Sequence, residues 1–163
     1  MKWTILAVTV LTIACSSNYA PPSVYPAPRP LTLPDSVGAV WPALVDVVTE
    51  WQLPLKTVDR ASGLLQTELA RSYDEALWDC GSHQAVVGGN YQRRPVLQTE
   101  GAYVVLTISA VPRGPETQLR VSADPRVSSV SGRPCASRGT YERDLLEAIR
   151  QRWQDLAGDT ATG

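Results

Sequence analysis

Residues 102–122 read AYVVLTISAVPRGPETQLRVS, and this stretch decides the fold. Val104, Leu106, Ile108 and Ala110 alternate with Thr107 and Ser109, a period of two that turns one side of a strand to a core and the other to water. Pro112-Arg113-Gly114-Pro115 interrupts the alternation, and Gln118-Leu119-Arg120-Val121-Ser122 resumes it. The two runs are predicted to pair as an antiparallel hairpin.

Working upstream, Leu55–Arg60 and Leu64–Ala70 flank Ala61-Ser62-Gly63 and read as a second hairpin. Tyr73–Asp79 is a weaker third candidate, with poor alternation, and Gly81–Gly101 reads as a polar loop around Gly88-Gly89-Asn90. Two segments carry the helical period instead. Between Ser36 and Gln52, Val40, Trp41, Leu44, Val47, Val48 and Trp51 recur at three and four, with Asp35 or Ser36 as N-cap. Pro42 fits only a first turn, which shifts the expected start toward Gly38 or Ala39. Between Thr140 and Leu156, Tyr141, Leu145, Ile149, Trp153 and Leu156 form the apolar face, and Glu142, Arg143, Asp144, Arg150 and Arg152 cover the rest. Strands followed by a closing helix predict a two-layer α+β domain, an antiparallel sheet of four to five strands packed against two helices. The chain has no phenylalanine, so Trp41, Trp51, Trp78 and Trp153 are expected to fill the core.

The chain has 163 residues, 44% of them hydrophobic and 19% charged, enough for one compact core. Lys and Arg number 15 against 16 Asp and Glu, a formal charge of -1, which leaves no cationic excess to neutralise a run of phosphates. Nucleic acid is therefore not an expected partner.

Met1–Ala14, MKWTILAVTVLTIA, places Lys2 before an apolar run and a small residue directly before Cys15. Such a run is shorter than the roughly 20 residues of a membrane span and reads as a secretory signal. Leu11-Thr12-Ile13-Ala14-Cys15 resembles the bacterial lipobox, although Thr12 stands where leucine is usual. The resemblance implies a signal peptide of residues 1–14 and an acylated Cys15, and Ser16 at the next position resembles outer-membrane sorting signals. Ordinary secretion is the plain alternative. Residues 15–35 then form a tether: Pro21, Pro22, Pro26, Pro28, Pro30 and Pro34 exclude helix and central strand. Extended at about 3.1 Å per residue, some twenty residues hold a domain about 60 Å from its anchor. The folded domain is expected over residues 36–157, with a disordered tail at 158–163.

With Cys15 consumed by lipid, Cys80 and Cys135 remain as an even pair for an oxidising compartment, and a disulfide is the leading reading. His83, the only histidine, stands three residues past Cys80, so Cys80, His83 and Cys135 are an alternative zinc set, and a Cys/His nucleophile and base is a further one. Neither has supporting motifs: no second CxxC, no HxxxH, no GxSxG, no HExxH and no phosphate-binding glycine loop occurs. Asp59 and Glu68 are a conceivable carboxylate pair across the first hairpin, with solvated strand charges as the simpler account. No catalytic residue, metal or cofactor is expected.

Val40-Trp41-Pro42-Ala43-Leu44, followed by Val58-Asp59-Arg60-Ala61-Ser62-Gly63-Leu64-Leu65-Gln66-Thr67, resembles the repeated unit of BamC-type envelope lipoproteins. Asp79-Cys80-Gly81 and Cys135-Ala136-Ser137-Arg138-Gly139 also resemble small proteobacterial lipoproteins that carry a single such domain. The resemblance, over about residues 36–157, implies a helix-grip fold and a non-catalytic place at the periplasmic side of the outer membrane, with an envelope protein as partner, the outer-membrane assembly machinery being one candidate. BamC carries two such domains after a long segment that binds its partner; one domain and a short spacer occur here, so that contact is not carried over. The expected role is a tethered interaction or assembly module. A carrier for a small apolar ligand between the sheet and the C-terminal helix is the alternative, and a small hydrolase using His83 a third class.

Overall fold

The computed structural model describes residues 19–72, 74–128 and 133–162. The expected signal peptide and Cys15 lie outside them. The decisive hairpin forms and is longer than its alternation suggested. Ala102–Arg113 and Glu116–Val127 pair without interruption from Ala102↔Val127 to Arg113↔Glu116 around Gly114-Pro115. Leu64–Ser72 lines the other side of the first of these strands, and Leu55–Asp59 pairs with it in turn.

Numbered along the whole chain, the strands are β1 (Tyr19–Ala20), β2 (Leu31–Leu33), β3 (Leu55–Asp59), β4 (Leu64–Ser72), β5 (Trp78–Asp79), β6 (Ser82–Val87), β7 (Asn90–Pro95), β8 (Ala102–Arg113), β9 (Glu116–Val127) and β10 (Ala136–Ser137). The helices are α1 (Val37–Glu50), α2 (Val96–Glu100) and α3 (Thr140–Thr162). The main sheet has five antiparallel strands in the order β2-β9-β8-β4-β3.

One face of this sheet is the core face. Ala102, Val104, Leu106, Ile108 and Ala110 of β8, Leu119 and Val121 of β9, and Leu65 of β4 are buried there. Against them pack Val40, Trp41, Leu44, Val47 and Val48 of α1 with Leu145, Leu146 and Ile149 of α3. The opposite face is uncovered and polar, with Gln66 donating to Thr107 Oγ1 at 3.3 Å. This is the two-layer α+β domain expected from the pattern. Trp78 and Trp41 are buried, whereas Trp51 and Trp153 are only partly so and sit at the margin of the core.

Several boundaries differ from those expected. α1 begins at Val37 behind Ser36, so Pro42 lies inside the helix rather than in its first turn. Ser36 makes no side-chain cap, and Asp35 is used elsewhere: its carboxylate accepts the Trp153 indole N–H at 3.1 Å and its carbonyl the Thr117 hydroxyl at 2.6 Å. The fold starts before residue 36, because β2 is a strand of the main sheet. At the other end α3 continues to Thr162, through the stretch expected to be a tail.

The expected third strand is only β5, which pairs with β10 outside the main sheet. The expected loop 81–101 is in fact the β6–β7 hairpin followed by α2. Its turn is Gly88-Gly89, with φ of 59° and 82°, a left-handed pair that a two-residue hairpin turn favours and that side chains resist. β1 joins this hairpin to make a three-stranded sheet, β1-β6-β7. No described helix is long and apolar enough to cross a membrane.

Candidate functional site

Cys80 and Cys135 form a disulfide, with Cα atoms 4.1 Å apart and a sequence separation of 55. It ties the end of β5 to the approach to β10, so the two short strands are paired by main chain and by sulfur at one place. Both thiols are thereby spent, and the zinc and Cys/His alternatives lose their sulfur ligands. Among the described residues no group of three or more His, Cys, Asp or Glu side chains could hold a metal. His83 opposes Tyr19 on one side and Arg94 on the other, in the middle of the small sheet. Asp59 is not paired with Glu68. Its Oδ1 accepts the N–H groups of Ala61 and Ser62 in the hairpin turn, and it faces Leu64, whereas Glu68 faces Val105.

Around the disulfide converges the proline-rich segment expected to be a solvated spacer. Prolines do forbid helix and central strand there, but they leave an extended chain that lies along the domain from Tyr19 to Leu33. Tyr19 starts it: its hydroxyl donates to the Cys80 carbonyl at 3.2 Å, and the Arg133 guanidinium lies 4.6 Å from its ring centroid. Ala20 pairs with Ser82, and this requires Gly81 beside it. Gly81 has φ of +76°, and a Cβ there would stand 2.2 Å from the Ala20 carbonyl oxygen. The Ser23 N–H and the Tyr25 hydroxyl both donate to Asp79 Oδ2, at 3.0 and 2.9 Å, while the Gly81 N–H takes Oδ1 at 2.8 Å. Arg138 completes the clasp by donating to the Tyr25 hydroxyl at 2.6 Å and to the Glu75 carbonyl at 2.8 Å.

Asp79 is the acceptor at the centre of this clasp. Burial pushes its carboxyl up, but the N–H groups of Ser23 and Gly81, the Tyr25 hydroxyl and the Arg138 charge together outweigh it, and the group sits below its ordinary value. It is a carboxylate held ionised by donors, suited to fastening a strap and ill suited to accepting a proton in a reaction.

Two surfaces among the described residues offer apolar groups beside a groove or a sheet edge. Between the strap and α3 runs a groove of about 430 Å³, lined by Pro26, Pro28, Pro30 and Leu146 with Arg29, Arg143 and Arg150 at its borders. The space on the other side of α3, between helix and sheet, is occupied by the buried side chains of Leu119, Val121, Leu145 and Ile149. A small ligand has room in the groove outside α3, and a smaller space of about 210 Å³ opens between the strap, Val121 and Ala123 of β9 and Glu142 at the start of α3. The second surface is the β3 edge. Leu55 and Val58 oppose Thr67 and Leu65, whose side chains face the core, yet they are 50% and 51% exposed. A register irregularity between Leu55 and Thr57 puts both apolar residues on the same side, and α1 and α3 lie mainly over β8 and β9, so the helical layer stops short of them. Cys80 and Cys135 were legible as a pair; the strap residues Tyr19, Ser23 and Tyr25 and their receiver Asp79 were not, because single hydroxyl and main-chain contacts leave no periodicity in a sequence.

No protein-family model matches the chain, and no curated protein is significantly similar to it in sequence.

Proposed function

We propose that the chain is a non-catalytic lipoprotein of the outer membrane, held at the periplasmic side by acyl chains on Cys15 and acting there as an interaction or assembly module for an envelope protein. The observation that carries this reading is the Cys80–Cys135 disulfide. It favours an oxidising compartment and accounts for two of the three cysteines, so that the third is the one directly behind the apolar leader. The strap hydroxyls are committed to the Cys80 carbonyl and the Asp79 carboxylate, and His83 lies within a strand ladder, so neither supplies a nucleophile with an oriented base.

The contact surface best suited to a partner is the β3 edge with its half-exposed Leu55 and Val58. An extended partner segment adds there as a further strand, its main chain giving affinity and its side chains meeting the two apolar residues. Lys56 at the irregularity limits indiscriminate pairing, as charges on edge strands do. The BamC-type resemblance agrees with a helix-grip domain used for contact rather than chemistry.

Two measurements test the reading. A clickable fatty acid supplied in growth should label the protein and leave Cys15→Ala unlabelled. A photo-crosslinking amino acid at Val58 should join the anchored protein to one defined envelope protein, while the same probe at Arg150 on α3 should not. Equal, diffuse crosslinking from both positions would overturn the module reading.

A further inference from the structure

β7, the outer strand of the small sheet β1-β6-β7, has no buried residue. Every residue of β7 from Asn90 to Arg94 is exposed, on both of its faces, and Pro95 alone is half-buried. Tyr91 is 79% exposed. A strand exposed on both faces gains little from burial in its own fold, and a two-stranded hairpin is by itself marginal in water. Residues 82–95, SHQAVVGGNYQRRP, contain Arg93 and Arg94 and no acidic residue, in a chain whose formal charge is -1. Tyr91 and Arg93 share one face of β7, and Arg94 lies across from His83 on the other.

The position of this hairpin relative to the chain's start is the second observation. β6 pairs with β1, and β1 begins at Tyr19, four residues past Cys15. Four extended residues span at most about 14 Å. The strap consumes the rest of the proline-rich segment against the domain, so the reach of about 60 Å that a free polyproline chain would provide is not available. An acylated Cys15 therefore keeps Tyr19, and the strand beside it, within about 14 Å of the lipid surface.

We propose that the β6–β7 hairpin is a membrane-contact element that seats its outer strand β7 edge-on on an anionic phospholipid surface, so that Arg93 from one face and Arg94 from the other reach lipid phosphates and Tyr91 lies at the headgroup level. Arginine matches phosphate through its planar fork of donors, and an exposed tyrosine has the amphipathic ring that interfaces favour. This inference rests on the Cys15 anchor for its geometry, and its test is independent of that anchor.

The mature chain from residue 15 onward, carrying Cys15→Ser so that no acyl group contributes, is sedimented with phosphatidylglycerol-containing vesicles and with phosphatidylcholine vesicles. Binding is expected to the anionic vesicles only, and to fall as salt screens the contact. The double substitution Arg93→Gln/Arg94→Gln should weaken it at least tenfold, and Tyr91→Ser by a smaller factor, with the disulfide and the circular dichroism spectrum unchanged. Absence of binding to anionic vesicles, or equal binding by the double variant, would overturn the inference even if Cys15 takes up fatty acid. Loss of crosslinking to an envelope protein on Arg93→Gln/Arg94→Gln, with no vesicle binding by the parent, would assign the hairpin to a protein partner and overturn it too. Charge-dependent vesicle binding without label on Cys15 would uphold the hairpin's role and remove the anchor reading alone.

Discussion

Arg60 donates through Nη2 to the carbonyl oxygen of Gly38 at 3.3 Å, and Gly38 is the residue four places before Pro42. In a regular helix that carbonyl would receive the N–H of residue 42, which proline lacks. A guanidinium from the β3–β4 turn thus stands in for the missing helical donor. The Val40-Trp41-Pro42-Ala43-Leu44 helix and the Asp59-Arg60-Ala61-Ser62-Gly63 turn are coupled by one defect and its repair.

Replacing Arg60 with alanine should cost about 0.5–1.5 kcal/mol, the usual worth of a hydrogen bond in a partly solvated place. Pro42→Ala should raise stability, since proline inside a helix is disfavoured by about 3 kcal/mol and part of that is already offset here. In the Pro42→Ala background Arg60→Ala should cost much less. Urea denaturation of the four proteins measures the coupling, and additive effects would show that Arg60 acts elsewhere.

The disulfide closes a loop of 55 residues. In the chain-entropy model this contributes about 4 kcal/mol, a large share of what a domain of this size has in all. Cys80→Ser/Cys135→Ser should lower the urea midpoint accordingly, and reductant should do the same to the parent protein while leaving the double variant unaffected.

Gly81→Ala meets two obstacles at once, a left-handed φ and the Ala20 carbonyl oxygen. The strand β1 has only main-chain pairing and the Tyr19 contacts to hold it, so it should yield before the core does. Hydrogen exchange at residue 20 and its neighbours should accelerate by at least tenfold, while Leu106 and Ile108 in β8 keep their protection. Uniform acceleration throughout would mean that the strap is an integral part of the global fold.

Asp79 gives the clasp a pH dependence of definite sign. Its folded value is depressed, so its contribution is present above the unfolded value of about 3.9 and is lost as pH falls through the folded one. Asp79→Asn should therefore be less stable than the parent near neutral pH, with the gap closing below about pH 4. A gap that stays constant into acid would assign the loss to shape and not to charge.

Thr67 is fully buried, and its hydroxyl has no hydrogen-bond partner. Valine has the same shape without the polar atom, so Thr67→Val should stabilise the domain by about 1 kcal/mol. Thermal unfolding reads this directly; destabilisation would reveal a bond to solvent.

What could be read in advance follows from what leaves a period. β8, β9 and β4 each press one face on the helices, and Val104-Leu106-Ile108 therefore alternates; α1 and α3 show their stripes for the same reason. β7 is exposed on both faces from Asn90 to Arg94, so Asn90-Tyr91-Gln92-Arg93-Arg94 carries no alternation, and only Gly88-Gly89 marks the hairpin. The strap misled for a different cause. Its prolines do specify an extended chain, but whether such a chain floats or lies down is decided by Tyr19, Ser23 and Tyr25 meeting Asp79 and Cys80 some sixty residues away. The pairing of Cys80 with Cys135 was legible by counting alone.

The edges of the main sheet have unequal fates. β9 is flanked at one end by Leu31–Leu33 and at the other by the segment before β10, where the Cys135 N–H donates to the Pro125 carbonyl and the Val127 N–H to that of Arg133. Among the described residues the sheet ends in β2, three residues long, on one side and in β3, five residues long, on the other. A sheet bare on both sides can recruit copies without end, a serious hazard for proteins crowded in one plane. The strap leaves only the three residues Leu31–Leu33 as the opposite edge, so β3 offers the longer seat, where two molecules can join β3 to β3 or each can take one guest strand.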